Sequence, residues 1–145
     1  MKNLLIIGFL FLTTISNAQN WGNNIETAKE VAKKENKNIL LVFSGSDWCA
    51  PCIKLNKNIF QSEVFKLEAE KKWILVKADF PKKKANLLSP QLTENNKKLA
   101  EKYNKAGNFP LVVLLNPDGK ILGLESFKNL NATEYVKILN NLEKK

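Results

Sequence analysis

Cys49 and Cys52, the only cysteines of the chain, stand three positions apart in the stretch Ser46-Asp47-Trp48-Cys49-Ala50-Pro51-Cys52. Two thiols at this spacing can close a covalent staple, supply two ligands to a metal, or exchange electrons as a dithiol–disulfide pair. As a staple they do little: loop entropy gives about 2 kcal/mol for a four-residue loop, against about 4.7 for 100 residues. As metal ligands they fill half a tetrahedral zinc shell in a chain without histidine, so carboxylates or a second molecule must finish it. Neither a metal nor any cofactor beyond the redox-active disulfide is expected. A redox pair needs an attacking thiolate at a helix N-terminus, where unpaired N–H groups and the helix dipole stabilise negative charge. Pro51 suits such a first turn, where its missing N–H costs nothing.

The neighbouring elements supply that setting. Ile39-Leu40-Leu41-Val42-Phe43 is a continuous apolar run, the mark of a strand buried on both faces, and it leads directly into the cysteines. The helix after it runs from Pro51 to about Asn58, and Ser62 caps another through Glu68. Upstream, Ile25, Ala28, Val31 and Ala32 share a helical face, closed by the polar run 34–38. Trp73 to Ala78 reads as a second buried strand. A loop over about 79–91 then precedes a helix capped by Thr93 and running to about Asn104. Leu111 to Leu115, the turn Asn116-Pro117-Asp118-Gly119 and the strand 120–123 form a hairpin. A last helix starts near Ala132. Alternating strands and helices predict an α/β sandwich with a mixed central sheet flanked by helices.

At 145 residues, 44% hydrophobic and 26% charged, the chain accommodates one packed domain. Met1-Lys2-Asn3, the apolar run Leu4–Leu12 and the small residues of Ser16-Asn17-Ala18 predict a secretory signal cleaved after Ala18. The apolar run is far shorter than the about 20 residues of a spanning helix. The domain is then 19–145, exported to the periplasm or another extracytoplasmic space. Without Lys2 the mature chain carries 22 basic and 14 acidic residues, a formal charge of +8. Export and the lack of a basic helix with interleaved aromatics argue against nucleic acid and for a solvated basic surface.

With these residues assembled, the chain resembles the thioredoxin superfamily, and more closely its exported bacterial members. The likeness rests on Trp48-Cys49-Ala50-Pro51-Cys52 after an apolar strand, Phe109-Pro110 before another, and Asn116–Lys120 in a hairpin. It implies a three-layer sandwich. It also implies Cys49 as the solvent-facing nucleophile, Cys52 as the buried resolving thiol, and Trp48, Ala50 and Pro51 as the surroundings of the sulfurs. Phe109 and Pro110, joined by a cis peptide bond, are implied to meet extended substrate. Two departures stand out. Thioredoxin keeps a buried aspartate six positions before its first cysteine, and here that position is Phe43. Lys77 matches the partner of that aspartate and lacks its mate, or is simply a lysine at a strand end. Asp47 lies on the exposed turn and is not assigned the buried acid's work. Ala50 replaces the glycine of many thioredoxins.

The expected function is exported thiol–disulfide exchange with protein disulfides or dithiols, in the reducing direction, fed by a membrane thiol-electron donor. Such potentials span about −270 to −120 mV. The alternatives are a dithiol oxidase or isomerase, or a non-catalytic peptide-binding module. A monomer is expected. Asn131-Ala132-Thr133 spells a glycosylation sequon but reads more simply as a helix cap, and Trp21 is expected to fasten the N-terminal segment to the domain. Phe60, Phe65, Trp73, Phe80 and Phe127 read as core or surface-lining aromatics.

Overall fold

The computed structural model describes residues 19–143; the signal segment expected at 1–18 lies outside them. Because the run from Ile39 to Phe43 has no polar face, it needs neighbours on both sides and both surfaces, and it finds them. Strand β1 (Asn38–Ser44) pairs in parallel with β2 (Trp73–Asp79) and antiparallel with β3 (Leu111–Leu115). Strand β4 (Ile121–Glu125) pairs antiparallel with β3, giving the mixed order β2-β1-β3-β4.

The strand pleat divides the core into two layers. Leu40, Val42, Val112 and Leu114 face α2 (Ala50–Leu55), α3 (Glu63–Lys72) and α5 (Ala132–Leu142), and pack with Leu55, Phe65, Tyr135 and Leu139. Ile39, Leu41, Phe43, Val113 and Leu115 face α1 (Ile25–Glu35) and α4 (Pro90–Tyr103), meeting Ala28, Ala32, Leu99 and Tyr103. Three layers result, helices on both faces of the sheet.

Local chemistry sets the helix ends. Ser62 caps α3 by accepting from Phe65 N–H. Asn131 accepts from Glu134 N–H while the Glu134 carboxylate accepts from Asn131 N–H, a reciprocal capping box that accounts for the sequon as a helix start. The start of α4 differs from expectation. Ser89, not Thr93, is the cap, its hydroxyl accepting from Leu92 N–H, while Thr93 donates to Ser89 C=O one turn inside. Pro90 at the first helical position has its φ preset and no N–H to leave unpaired, so the helix begins four residues earlier than Glu94. The loop before it is correspondingly shorter and contains a single 3-10 turn at Lys84–Asn86.

Helix α2 continues as a π turn, Asn56–Phe60, beyond the expected end near Asn58. The extra residue per turn brings Ile59 and Phe60 into the core side by side. There Phe60 and Phe65 lie against Trp21, at 5.2 and 6.5 Å between ring centroids. The backbone of Gly22 pairs with the outer edge of β2 through Gly22 N–H to Leu75 C=O and Lys77 N–H to Gly22 C=O. Trp21 thus fastens the N-terminal segment, as its position suggests.

Candidate active site

Three chain segments meet at one end of the sheet. Ser44 ends β1 beside Asp79, which ends β2, and Phe43 pairs with Leu111, the first residue of β3. The turn carrying the cysteines, the loop from Phe80 onward and the Phe109-Pro110 segment therefore emerge together.

Cys49 and Cys52 are joined by a disulfide with an S–S distance of 2.07 Å and Cα atoms 5.2 Å apart. Cys49 is the N-cap of α2: its Sγ accepts from Cys52 N–H at 3.3 Å. Gly45 N–H points to Cys52 Sγ at 3.5 Å, so each sulfur has a backbone donor. Backbone N–H groups at a helix N-terminus are the donors that reactive cysteines exploit. Pro51 occupies the first turn of α2 beside Ala50, and both are exposed.

The contrast in exposure implied by the family resemblance is slight in this disulfide state, with Cys49 5% and Cys52 3% exposed. The Cys49 side chain folds back over the helix terminus to reach both Cys52 N–H and Cys52 Sγ, which removes it from solvent. Its neighbour Trp48 is the exposed group, at 41%. The indole lies over Gly45, where a Cβ would come within 2.4–2.7 Å of the ring, and its N–H donates to Phe80 C=O at 2.7 Å.

Around Trp48 stands a set of aromatics drawn from distant segments. Phe109 packs edge-on against Trp48 at 5.6 Å and against Phe80 at 5.4 Å. The Phe109-Pro110 peptide bond is cis. Lys82 Nζ sits 4.1 Å from the centroid of the Trp48 ring, within cation–π range. Phe80 and Lys82 were not among the candidate residues. No motif marks them, and a Phe-Pro-Lys run after a strand is their only local trace.

Two carboxylates shape the site without touching the sulfurs. Asp47 accepts from Lys82 N–H, Lys83 N–H and Asn86 Nδ2, at 2.9, 3.0 and 3.0 Å. The Lys82 backbone bond first, and then the Asn86 bond, hold its carboxyl below the usual carboxylate range. Asp79 accepts from Ser46 N–H and Ser46 Oγ–H. The buried-acid position holds Phe43, fully buried among the residues facing α1 and α4. Lys77 pairs in register with Val42, so its side chain leaves the sheet on the other face, with Nζ 5.2 Å from the Trp21 ring centroid. Its position does not make it a partner for any group at residue 43. Among the described residues no group of three or more Cys, Asp, Glu or His is placed to hold a metal ion.

A family model described as thioredoxin-like matches residues 20–117, a span that contains every residue named at this site. The chain belongs to the thioredoxin-like family. Within that family it is 37% identical over 109 residues to "Disulfide bond reductase DsbH" of Chlamydia pneumoniae, covering 75% of this chain and 64% of that protein. "Thioredoxin-related protein DsbJ" of the same organism is 26% identical over 141 residues, 89% of this chain and 40% of the relative. The chain thus spans less than two thirds of the length of these curated relatives. A solved structure titled "DsbH Oxidoreductase" superposes with a TM-score of 0.80 at 31% identity, covering 99% of this chain and 94% of that one. The mixed four-stranded sheet between two helix layers is accordingly the thioredoxin-like fold.

Proposed function

We propose that this protein is an exported thiol–disulfide oxidoreductase that reduces disulfides in other proteins. The observation that carries the reading is the Cys49–Cys52 disulfide itself, closed across the N-terminus of α2 with a backbone N–H directed at each sulfur. The relative named a disulfide bond reductase supports the direction. In the reduced protein the Cys49 thiolate attacks one sulfur of a substrate disulfide. The substrate S–S bond breaks, a mixed disulfide with Cys49 forms, and the departing substrate thiolate takes a proton from solvent. Cys52 then attacks Cys49 Sγ, releasing the second substrate thiol and leaving Cys49–Cys52 oxidised by two electrons. Exposed Trp48, Ala50 and Pro51 and half-buried Phe109 form the rim against which an extended substrate segment lies, while Pro110 is itself buried and meets the substrate only through the backbone before it.

With Phe43 where a buried acid would stand, the Cys52 thiol has no carboxylate to receive its proton. The Gly45 N–H directed at Cys52 Sγ is the backbone donor at hand for the anion. Export to the periplasm or another extracytoplasmic space rests on the N-terminal residues 1–18. No helix among the described residues is long and apolar enough to cross a membrane. A thiol donor in the membrane completes the cycle by returning two electrons to Cys49–Cys52.

The test is a Cys52→Ala variant expressed with its signal and purified under acid quench. Mixed disulfides between Cys49 and exported proteins are expected, and the wild type is expected to speed insulin reduction by dithiothreitol. Failure of both leaves a peptide-binding module as the better reading. A reduction potential close to −120 mV in glutathione buffers, the oxidising end of the range, would reverse the direction.

A further inference from the structure

Beside the cysteines, the loop after β2 carries Lys82, Lys83 and Lys84, all exposed. Among the described residues none of the three forms an ion pair, whereas lysines elsewhere, such as Lys33 with Asp118 and Lys72 with Glu68, do. Asp47 and Asp79 accept their hydrogen bonds from neutral groups, and Lys83 also feels the Asp47 charge without forming an ion pair with it. Asp47 accepts the Lys82 and Lys83 backbone N–H groups and Asn86, and Asp79 accepts from Ser46. Asp47 thereby pins the backbone of this loop to the turn two residues before Cys49. Lys82 is further held with Nζ over Trp48, whose indole N–H is tied to Phe80 C=O. Three ammonium groups, partly offset by the Asp47 carboxylate, are therefore presented on a fixed loop beside Trp48, the neighbour of Cys49.

We propose that Lys82, Lys83 and Lys84 form a docking strip for an acidic segment flanking the substrate disulfide, selecting substrate proteins with Asp or Glu near the reactive cysteine. This rests on the oxidoreductase reading and names the class of substrate it favours. A clustered charge of one sign beside a reactive group raises the encounter rate with oppositely charged partners and loses that effect as salt screens it. Trp48 and Phe109 supply the apolar contact under the same segment. Lys82 offers its ammonium from the ring face, and Lys83 and Lys84 form no ion pair of their own among the described residues.

The experiment measures second-order rate constants for the pre-reduced purified protein against three disulfide-linked peptides. They are identical except that the residues beside the cysteine are acidic, uncharged or basic. At about 10 mM salt the acidic peptide is expected to react about fivefold or more faster than the basic one, converging to within about twofold at 1 M. Charge reversal in K83E/K84E is expected to abolish or invert the preference. The control K34E/K120E makes the same change in net charge at the opposite end of the sheet, where Ile39 pairs with Leu115, and is expected to keep it.

Equal rates for the acidic and basic peptides in the wild type overturn the docking strip. So does a preference that survives K83E/K84E, or one lost equally in K34E/K120E, which assigns it to overall charge. Binding to phosphatidylglycerol vesicles that K83E/K84E abolishes, without any peptide preference, assigns the strip to a membrane surface instead. Failure to reduce even the uncharged peptide counts against the oxidoreductase reading itself.

Discussion

At Gly45 the absence of a side chain decides where Trp48 lies. A Cβ there would overlap the indole at 2.4–2.7 Å, so Gly45→Ala must push the ring off the turn and away from Phe80 C=O. The ring is partly exposed and free to swing outward, which puts the stability loss near the lower end of the about 1–3 kcal/mol typical of overpacking. The indole N–H resonance of Trp48 should lose its hydrogen-bonded shift, and insulin reduction should slow. An unchanged resonance would show that the contact tolerates a methyl group. Cys49, Cys52 and Pro51 are legible in the sequence because their roles follow from type and spacing. The Gly45 contact is not, because a glycine before a tryptophan says nothing about which atoms will meet.

The elements depend on their ends. Asn131→Ala removes the oxygen that accepts Glu134 N–H and half of the reciprocal box at α5, and should cost about 1 kcal/mol in denaturant unfolding. A loss below a few tenths would mean that water replaces the cap. At the site, Asp47 holds the loop between β2 and α4. Asp47→Ala should speed amide hydrogen exchange at Lys82 and Lys83 selectively, leaving β1 and β3 protected. Its pH dependence has a definite sign. The folded carboxyl is lowered below its ordinary value of 3.8, so its contribution is complete above that value and is lost as pH falls through the lowered one. Loop exchange rates, corrected for intrinsic chemistry, should therefore be flat above about pH 5 and rise below pH 4. Strands and helices are readable from periodicity, but their ends less so: the last strand, expected at 120–123, is Ile121–Glu125. The start of α4 is not readable, because Ser89-Pro90 and Thr93-Glu94 are both competent caps, and only the proline's preset φ places the first turn.

Over the whole molecule, two apolar layers on either side of β1 and β3 carry the fold, and the disulfide lies at their margin. Reduction of Cys49–Cys52 should leave the protein folded and lower its stability by about 2 kcal/mol or less, the value for a four-residue loop. Truncating Leu114, fully buried at the sheet centre, to Ala should cost about 2–5 kcal/mol. Urea unfolding of the oxidised, reduced and L114A proteins compares the two directly. Unfolding on reduction alone would return the cysteines to a structural role.

The sequence by itself determined the order of strands and helices, the placing of two thiols at the start of a helix after a buried strand, and the absence of an acid at Phe43. These are local properties, written in residue type and in spacings shorter than one element. Only the tertiary structure decided that Asp47 secures a loop 35 to 39 residues away, that Trp48 reaches Phe80 across 32, and that Lys82 lies over the Trp48 ring. It also decided that Lys77 faces Trp21, on the opposite side of the sheet from Phe43. Such contacts depend on strand register and pleat, which bring distant segments to one end of the sheet and leave no periodic trace in the chain.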